Sequence, residues 1–167
     1  MAESCLLIID VQQGFINEWT REIPARVARL QAGFDHVVAT RFYNAEGSFY
    51  RTLIGWHRLD RGSPEFALAF TPRQDALILD KAIYSCVSER LLSHLTEHRI
   101  ARVHLSGIAT DNCVLKSAVD LFEAGIEPIV LAAACASHGG PEIHDCALKL
   151  LRRFIGKQQV VEARQAP

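Results

Sequence analysis

The sequence predicts an α/β fold: a three-layer α/β/α doubly wound sandwich around a six-stranded, mostly parallel sheet. Three observations lead there. Short apolar runs such as Leu6-Leu7-Ile8-Ile9 and Ala76-Leu77-Ile78-Leu79 stand between segments of helical periodicity, as expected of parallel strands covered on both faces. Strand and helix signals alternate almost throughout, with no internal repeat, low-complexity tract or long linker. The length of 167 residues, 49% of them apolar and 22% charged, suits one ordinary globular core, so residues 1–167 read as a single domain.

The elements follow in order. The first strand runs from Cys5 to Val11, and a helix from Pro24 to Gly33, with proline suited to its first turn and glycine to its end. His36 to Phe42 is the second strand. Tyr43 to Thr71 is a long irregular segment rich in aromatics and arginine, and segments of that length are usually functional. Ala76 to Asp80 is the third strand, and Ser88 caps a helix that reaches His98. Arg102 to Gly107 is the fourth strand. The helix from Asn112 to Ala124 is closed by Gly125 and packs through Leu115, Ala118, Val119 and Phe122. Glu127 to Ala133, Pro141 to Phe154 and Gln159 to Glu162 supply the fifth strand, the last helix and the sixth strand. Repeated βα units imply right-handed crossovers.

Composition excludes several function classes. A net charge of −1 gives no electrostatic footprint for nucleic acid or an acidic membrane. No apolar run is long enough to cross a bilayer, and a strand that starts within a few residues of Met1 leaves no room for a signal peptide. The five cysteines (Cys5, Cys86, Cys113, Cys135, Cys146) show neither a CxxC pair nor zinc spacing. Their odd number points to reduced thiols in the cytoplasm.

Three polar side chains each sit just after a separate strand: Asp10, Lys81 and Cys113. In an open α/β sheet that edge is where ligands bind. Asp111 or Asn112 as a cap would place Cys113 in the first helical turn, where the helix dipole favours a thiolate, and a nearby Lys81 would favour it further. Asp10 ends an apolar strand, so it needs a partner; Lys81 can be that partner, and Asp10 can act as a general base. The turn Gly107-Ile108-Ala109-Thr110-Asp111-Asn112 can present backbone N–H groups as an oxyanion hole. Each residue also has a plain structural explanation, as buried thiol, loop cap, ion pair or tight turn; it is their coincidence at one edge that argues for chemistry.

Three segments stand out together: Leu7-Ile8-Ile9-Asp10-Val11-Gln12-Gln13-Gly14-Phe15, Asp80-Lys81 with Tyr84 and Ser85, and Gly107-Ile108-Ala109-Thr110-Asp111-Asn112-Cys113-Val114. In these the chain resembles the isochorismatase-like cysteine hydrolase superfamily, which includes nicotinamidases and carbamoylsarcosine amidohydrolases. The resemblance implies a catalytic set of Asp10, Lys81 and Cys113, an oxyanion hole at Ala109 and Cys113, and a cis peptide bond between Ile108 and Ala109. It also implies thiolate attack on a carbonyl carbon bonded to nitrogen, followed by hydrolysis of the thioester. Nicotinamidases carry an aspartate and two histidines after the second strand as a metal set. The matching places here hold Phe42, Asn44 and Glu46, so the expectation is no catalytic metal and no cofactor. Ala132-Ala133-Ala134 stands where many relatives have an acidic residue, and Cys113 separates the chain from true isochorismatases, which lack the nucleophile.

Phe15, Phe42, Tyr43, Phe49, Trp56 and Tyr84 are candidates for a pocket wall, with core packing or a subunit contact as the alternative, one that suits Trp56. Asn17 and Asn44 can hydrogen-bond a substrate or cap loops. Phe15, Phe42, Asn44 and Tyr84 are the substrate-binding set expected. His138 sits in a loop at the reactive edge, where a plain connecting loop is the simpler explanation. His94 and His98 have metal-pair spacing but no third ligand, and read as a solvated helix face; Arg152, Arg153 and Lys157 need only the helix dipole. The expected function is metal-independent hydrolysis of a small amide, ureide or carbamoyl compound by a homo-oligomer (dimer or tetramer). The alternatives are a noncatalytic binding or assembly protein and a thiol redox sensor.

Overall fold

The computed structural model describes residues 3–162, so the two ends of the expected 1–167 domain lie outside the described residues. Six strands form one sheet in the order β3-β2-β1-β4-β5-β6: β1 (Cys5–Ile9), β2 (His36–Phe42), β3 (Leu77–Lys81), β4 (Arg102–Ile108), β5 (Glu127–Ala136) and β6 (Val160–Val161). Every pairing is parallel. The strand order reverses between β1 and β4, which opens a crevice at their C-terminal ends.

Alternation along β1 shows why the core has two halves. Cys5, Leu7 and Ile9 face one side, and Leu6 and Ile8 the other, all fully buried. The first side is covered by α3 (Glu89–Glu97), α4 (Leu115–Glu123) and α5 (Pro141–Phe154), through Leu91, Leu95, Ala118, Leu121, Leu148 and Leu151. The second side receives α1 (Ile23–Leu30), through Ile23 and Val27, and the irregular stretch after β2, which contains the one-turn helix α2 (Phe49–Thr52). Adjacent parallel strands need a crossover, normally a helix. Between β2 and β3 the irregular stretch takes that role, pinned by Leu59, which is fully buried, and by Tyr50, Trp56, Leu68 and Phe70 packed on the same cluster.

Several boundaries differ from the sequence reading. Strand β5 continues to Ala136, because Cys135 and Ala136 pair with Gly107 and Ile108 of β4 and the chain does not turn out after Ala133. The stretch before α4 opens with a wide π-type turn over Thr110–Val114, in which the Ala109 carbonyl accepts from the N–H groups of Asn112 (3.1 Å) and Val114 (3.2 Å). Neither Asp111 nor Asn112 caps it: the N-cap is Ala109, and no side chain bonds there.

Candidate active site

Asp10 leaves β1 in a left-handed conformation (φ 48°), uncommon for a residue with a side chain and the kind of outlier found at functional sites. Its carboxylate is fully buried. One oxygen accepts from the Thr40 hydroxyl at 2.6 Å, and the other lies 2.6 Å from the Lys81 ammonium. Lys81 ends β3 and is itself nearly buried; its Nζ also donates to the carbonyls of Ile83 (2.9 Å) and Tyr84 (3.1 Å) and to Cys113 Sγ at 3.5 Å. The Asp10 carboxylate is near enough to Cys113 to push the thiol pKa up. Three side chains from the ends of β1 and β3 and from the turn after β4 therefore meet at the crevice.

The turn that carries Cys113 depends on Gly107. Its φ is 125°, and a Cβ there would lie 2.0 Å from the Ile9 carbonyl oxygen. Only glycine lets β4 pass this close to the end of β1. The peptide bond between Ile108 and Ala109 is cis.

The electrostatics revise the thiolate expectation. Burial pushes the Cys113 thiol well above its ordinary range, the Asp10 carboxylate pushes the same way, and Lys81 pulls only part of the way back. That direction favours the protonated thiol, beside the buried ion pair of Asp10 and Lys81. Burial also acts to lower the Lys81 pKa, but the Asp10 carboxylate outweighs it and holds the ammonium above its usual range.

Above these groups lies a cavity of about 340 Å³, lined mainly by aromatic side chains and reaching Ala109, Asn112 and Cys113. Phe15, Phe42 and Tyr84 are in its wall, as the sequence suggests. Trp56 is there too: it stacks on Phe15 (5.9 Å) and Phe42 (5.8 Å), which places it in the wall. His138 also lines the cavity, stacked on Phe15 at 5.5 Å, which replaces the plain-loop explanation. Tyr50, T-shaped against Phe42 and Tyr84, was not singled out by sequence.

Other expected contacts are not made. Asn44 is buried outside the wall: its amide nitrogen donates to the Trp56 carbonyl (2.7 Å), and its oxygen accepts from Ser48 (2.6 Å). It holds the loop that carries Trp56. Tyr43 packs under the Arg61 guanidinium, and Phe49 is 74% exposed, so neither is in the wall. Asn17 positions His138 by donating to its carbonyl at 2.9 Å. Two residues that sequence reasoning missed support the frame. Thr40 orients Asp10, and buried Gln12 bonds both the N–H and the carbonyl of Phe42 (2.7 and 2.9 Å). A polar residue directly after an apolar strand was the available signal for Gln12.

The places of the relatives' metal set do not suit an ion. Phe42 offers no donor, both amide atoms of Asn44 are engaged, and Glu46 is exposed. On the far side of the molecule, His94 and His98 do have a third imidazole beside them, that of His36, which corrects their reading as an isolated surface pair.

The sequence model of the Isochorismatase domain matches residues 4–163. An uncharacterized isochorismatase family protein, PncA, of Bacillus subtilis (strain 168) is 37% identical over 81 residues, which is 48% of this chain and 44% of that protein. The match thus spans under half the length of that curated relative. The crystal structure of nicotinamidase PncA from Bacillus subtilis superposes with a TM-score of 0.82 at 27% identity, covering 96% of this chain and 99% of that one. The pyrazinamidase of Pyrococcus horikoshii in complex with zinc shares the fold, with a TM-score of 0.82 at 24% identity, covering 96% and 99%.

Proposed function

The chain belongs to the isochorismatase family, and from that premise we propose that it is a cysteine amidohydrolase that cleaves the C–N bond of a small amide, ureide or carbamoyl compound without a metal. The observation that carries this is the meeting of Asp10, Lys81 and Cys113 beneath the aromatic cavity. The likeness to a structure named nicotinamidase supports amide hydrolysis. The cavity volume is at the low end of the usual range for ligand pockets, which suits a small flat molecule held between Phe15, Trp56 and Tyr84.

The steps follow from the resting charges. As substrate expels water, the Cys113 proton passes to Asp10 and sulfur attacks the carbonyl carbon. The carbonyl electron pair moves to oxygen, where the backbone N–H groups of Ala109 and Cys113 stabilise it. Collapse breaks the C–N bond while Asp10 delivers its proton to nitrogen, and ammonia or an amine leaves. Water then gives a proton to Asp10 and its oxygen to the thioester carbon. The second collapse breaks the C–S bond, sulfur regains the proton, and the acid departs. Lys81 stays an ammonium throughout and keeps Asp10 in place. The donor-poor set at Phe42, Asn44 and Glu46 supports a route with no metal step.

The test is ammonia release over a panel of small amides and ureides, with and without chelator and with Cys113→Ala as control. Turnover that survives chelator and vanishes in Cys113→Ala is expected. Full activity in that variant removes the mechanism, and loss in chelator removes the metal-free route.

A further inference from the structure

His36 opens β2 at the edge of the sheet opposite the cavity, and beside it stand His94 on α3 and, one turn later, His98 at the C-cap of α3. The ring centroids are 5.6 Å (His36 to His94), 4.3 Å (His36 to His98) and 4.6 Å (His94 to His98) apart. One nitrogen from each ring lies within 4.8 Å of the other two. Nε2 of His94 is buried and has no hydrogen-bond partner. A buried imidazole nitrogen left unpartnered forfeits its solvation, and such groups call for an explanation such as an ion. The fourth group is Glu3, whose carboxylate lies 2.5 Å from His36 Nε2. If the carboxylate holds that nitrogen as the proton donor, Nδ1 keeps the ring's lone pair, the arrangement by which carboxylates orient metal-binding histidines.

We propose that His36, His94 and His98 form a three-imidazole site for one divalent transition ion of the zinc, nickel or copper class, with Glu3 orienting His36 or completing the shell. Imidazole donors suit these ions, and residues four apart on a helix point one nitrogen each to a common centre. Nothing in the amide-hydrolysis reading uses this site. From His36 to Phe42, which lines the cavity, the strand covers roughly 20 Å at the usual rise per residue. The ion would therefore tie the start of β2 to α3 and not touch substrate.

The experiment is calorimetric titration of the chelator-treated full chain with ZnCl₂, alongside His98→Gln and His36→Gln/His98→Gln. Circular dichroism checks that each variant folds, and Co²⁺ absorption reports the ligand type. One equivalent of Zn²⁺ per chain is expected, at least tenfold weaker in the single variant and lost in the double. The Co²⁺ spectrum should lack a thiolate charge-transfer band, and the folded wild type should melt higher as free Zn²⁺ increases. Undiminished binding by the folded double variant, a thiolate band pointing to Cys113 or Cys146, or no binding by the wild type overturns the proposal.

Discussion

Replacing Asp10 by Asn tests the buried charge pair and the proton path together. The pair is separated by 2.6 Å and nearly excluded from solvent. At an effective dielectric constant near 20, that contact corresponds to about 6 kcal/mol of Coulomb attraction, most of it offset by desolvation of the two ions. Removing one partner leaves Lys81 as an uncompensated buried cation, which typically costs about 3–5 kcal/mol. For a domain of this size that lowers the melting midpoint by about 10 °C. Turnover should fall by a factor of about 10²–10⁴, because the amide cannot take the Cys113 proton. The pH dependence separates the two effects. In the wild type the Lys81 pKa is raised in the folded state. Its contribution is therefore fully present below the unfolded lysine value and is lost only as pH rises through the folded one; across pH 7–9 it adds no slope. In Asp10→Asn, burial without the carboxylate lowers the Lys81 pKa. The unfolded chain then binds more protons, and stability climbs with pH over that interval. Adding Lys81→Met should recover stability without recovering activity. Denaturant melts at several pH values, paired with ammonia release, measure all of this. An Asp10→Asn protein with wild-type stability and more than a tenth of the wild-type rate would refute the reasoning.

Further outcomes follow from the same geometry. Gly107→Ala drives a Cβ into the Ile9 carbonyl and should cost more than about 2 kcal/mol in denaturant melts, with lost activity, because Asp10 is the next residue along β1. Burial in the cavity wall holds the His138 imidazole below its usual value. The ring is therefore neutral at pH 7, and KM for a neutral amide should rise as pH falls below the ordinary imidazole range; His138→Gln should flatten that limb in a pH–rate series. Burial pushes Cys5 and Cys135 up to about 12 and Cys86 up to about 11. Iodoacetamide should therefore spare these three in the folded protein and modify Cys146, which is exposed, and Cys113, which is reached through the cavity, as read by mass spectrometry of peptides. Phe49, Leu53, Ile54 and Ile83 are 74, 75, 63 and 58% exposed, and apolar side chains left in water are candidates for a contact between copies. Light scattering should give a dimer or tetramer, and Leu53→Lys should shift it toward monomer.

Legibility in the sequence followed packing type. The strands could be read because parallel strands are buried on both faces and so appear as unbroken apolar runs, as in Leu6–Ile9. The polar residue that ends each run stood out by contrast, which is why Asp10 and Lys81 were visible. The alanine-rich end of β5 gave no such contrast: Ala132–Ala136 fits strand or helix equally, and only pairing with Gly107 and Ile108 decides it. The cavity wall was harder. Tyr50, Trp56 and His138 lie in irregular segments without periodicity, and their direction is set by distant anchors such as Asn44 at the Trp56 carbonyl and Asn17 at the His138 carbonyl. The burial that acts on the Cys113 thiol was hidden for a related reason. Helix position can be counted along a chain, whereas desolvation depends on residues from all over the fold.

The architecture separates the chemistry from the selection of substrate. Asp10 and Cys113 stand at the ends of β1 and β4, where the strand order reverses, and Lys81 reaches them from β3; all three are fixed by sheet register and by the close pass at Gly107. The surfaces that a substrate would meet come mostly from elsewhere, above all from the long crossover between β2 and β3 that supplies Tyr50, Ile54 and Trp56. A crossover of this kind can change shape without disturbing the register, because its anchors, Leu59 and Asn44, lie behind the wall and not in it. Transplanting the stretch between those anchors from a relative with a different substrate should therefore alter KM ratios across an amide panel while Cys113 keeps its alkylation rate. A transplant that folds but loses Cys113 reactivity would mean that the crossover also holds the reacting groups in place, and the separation argued from the sheet would not stand.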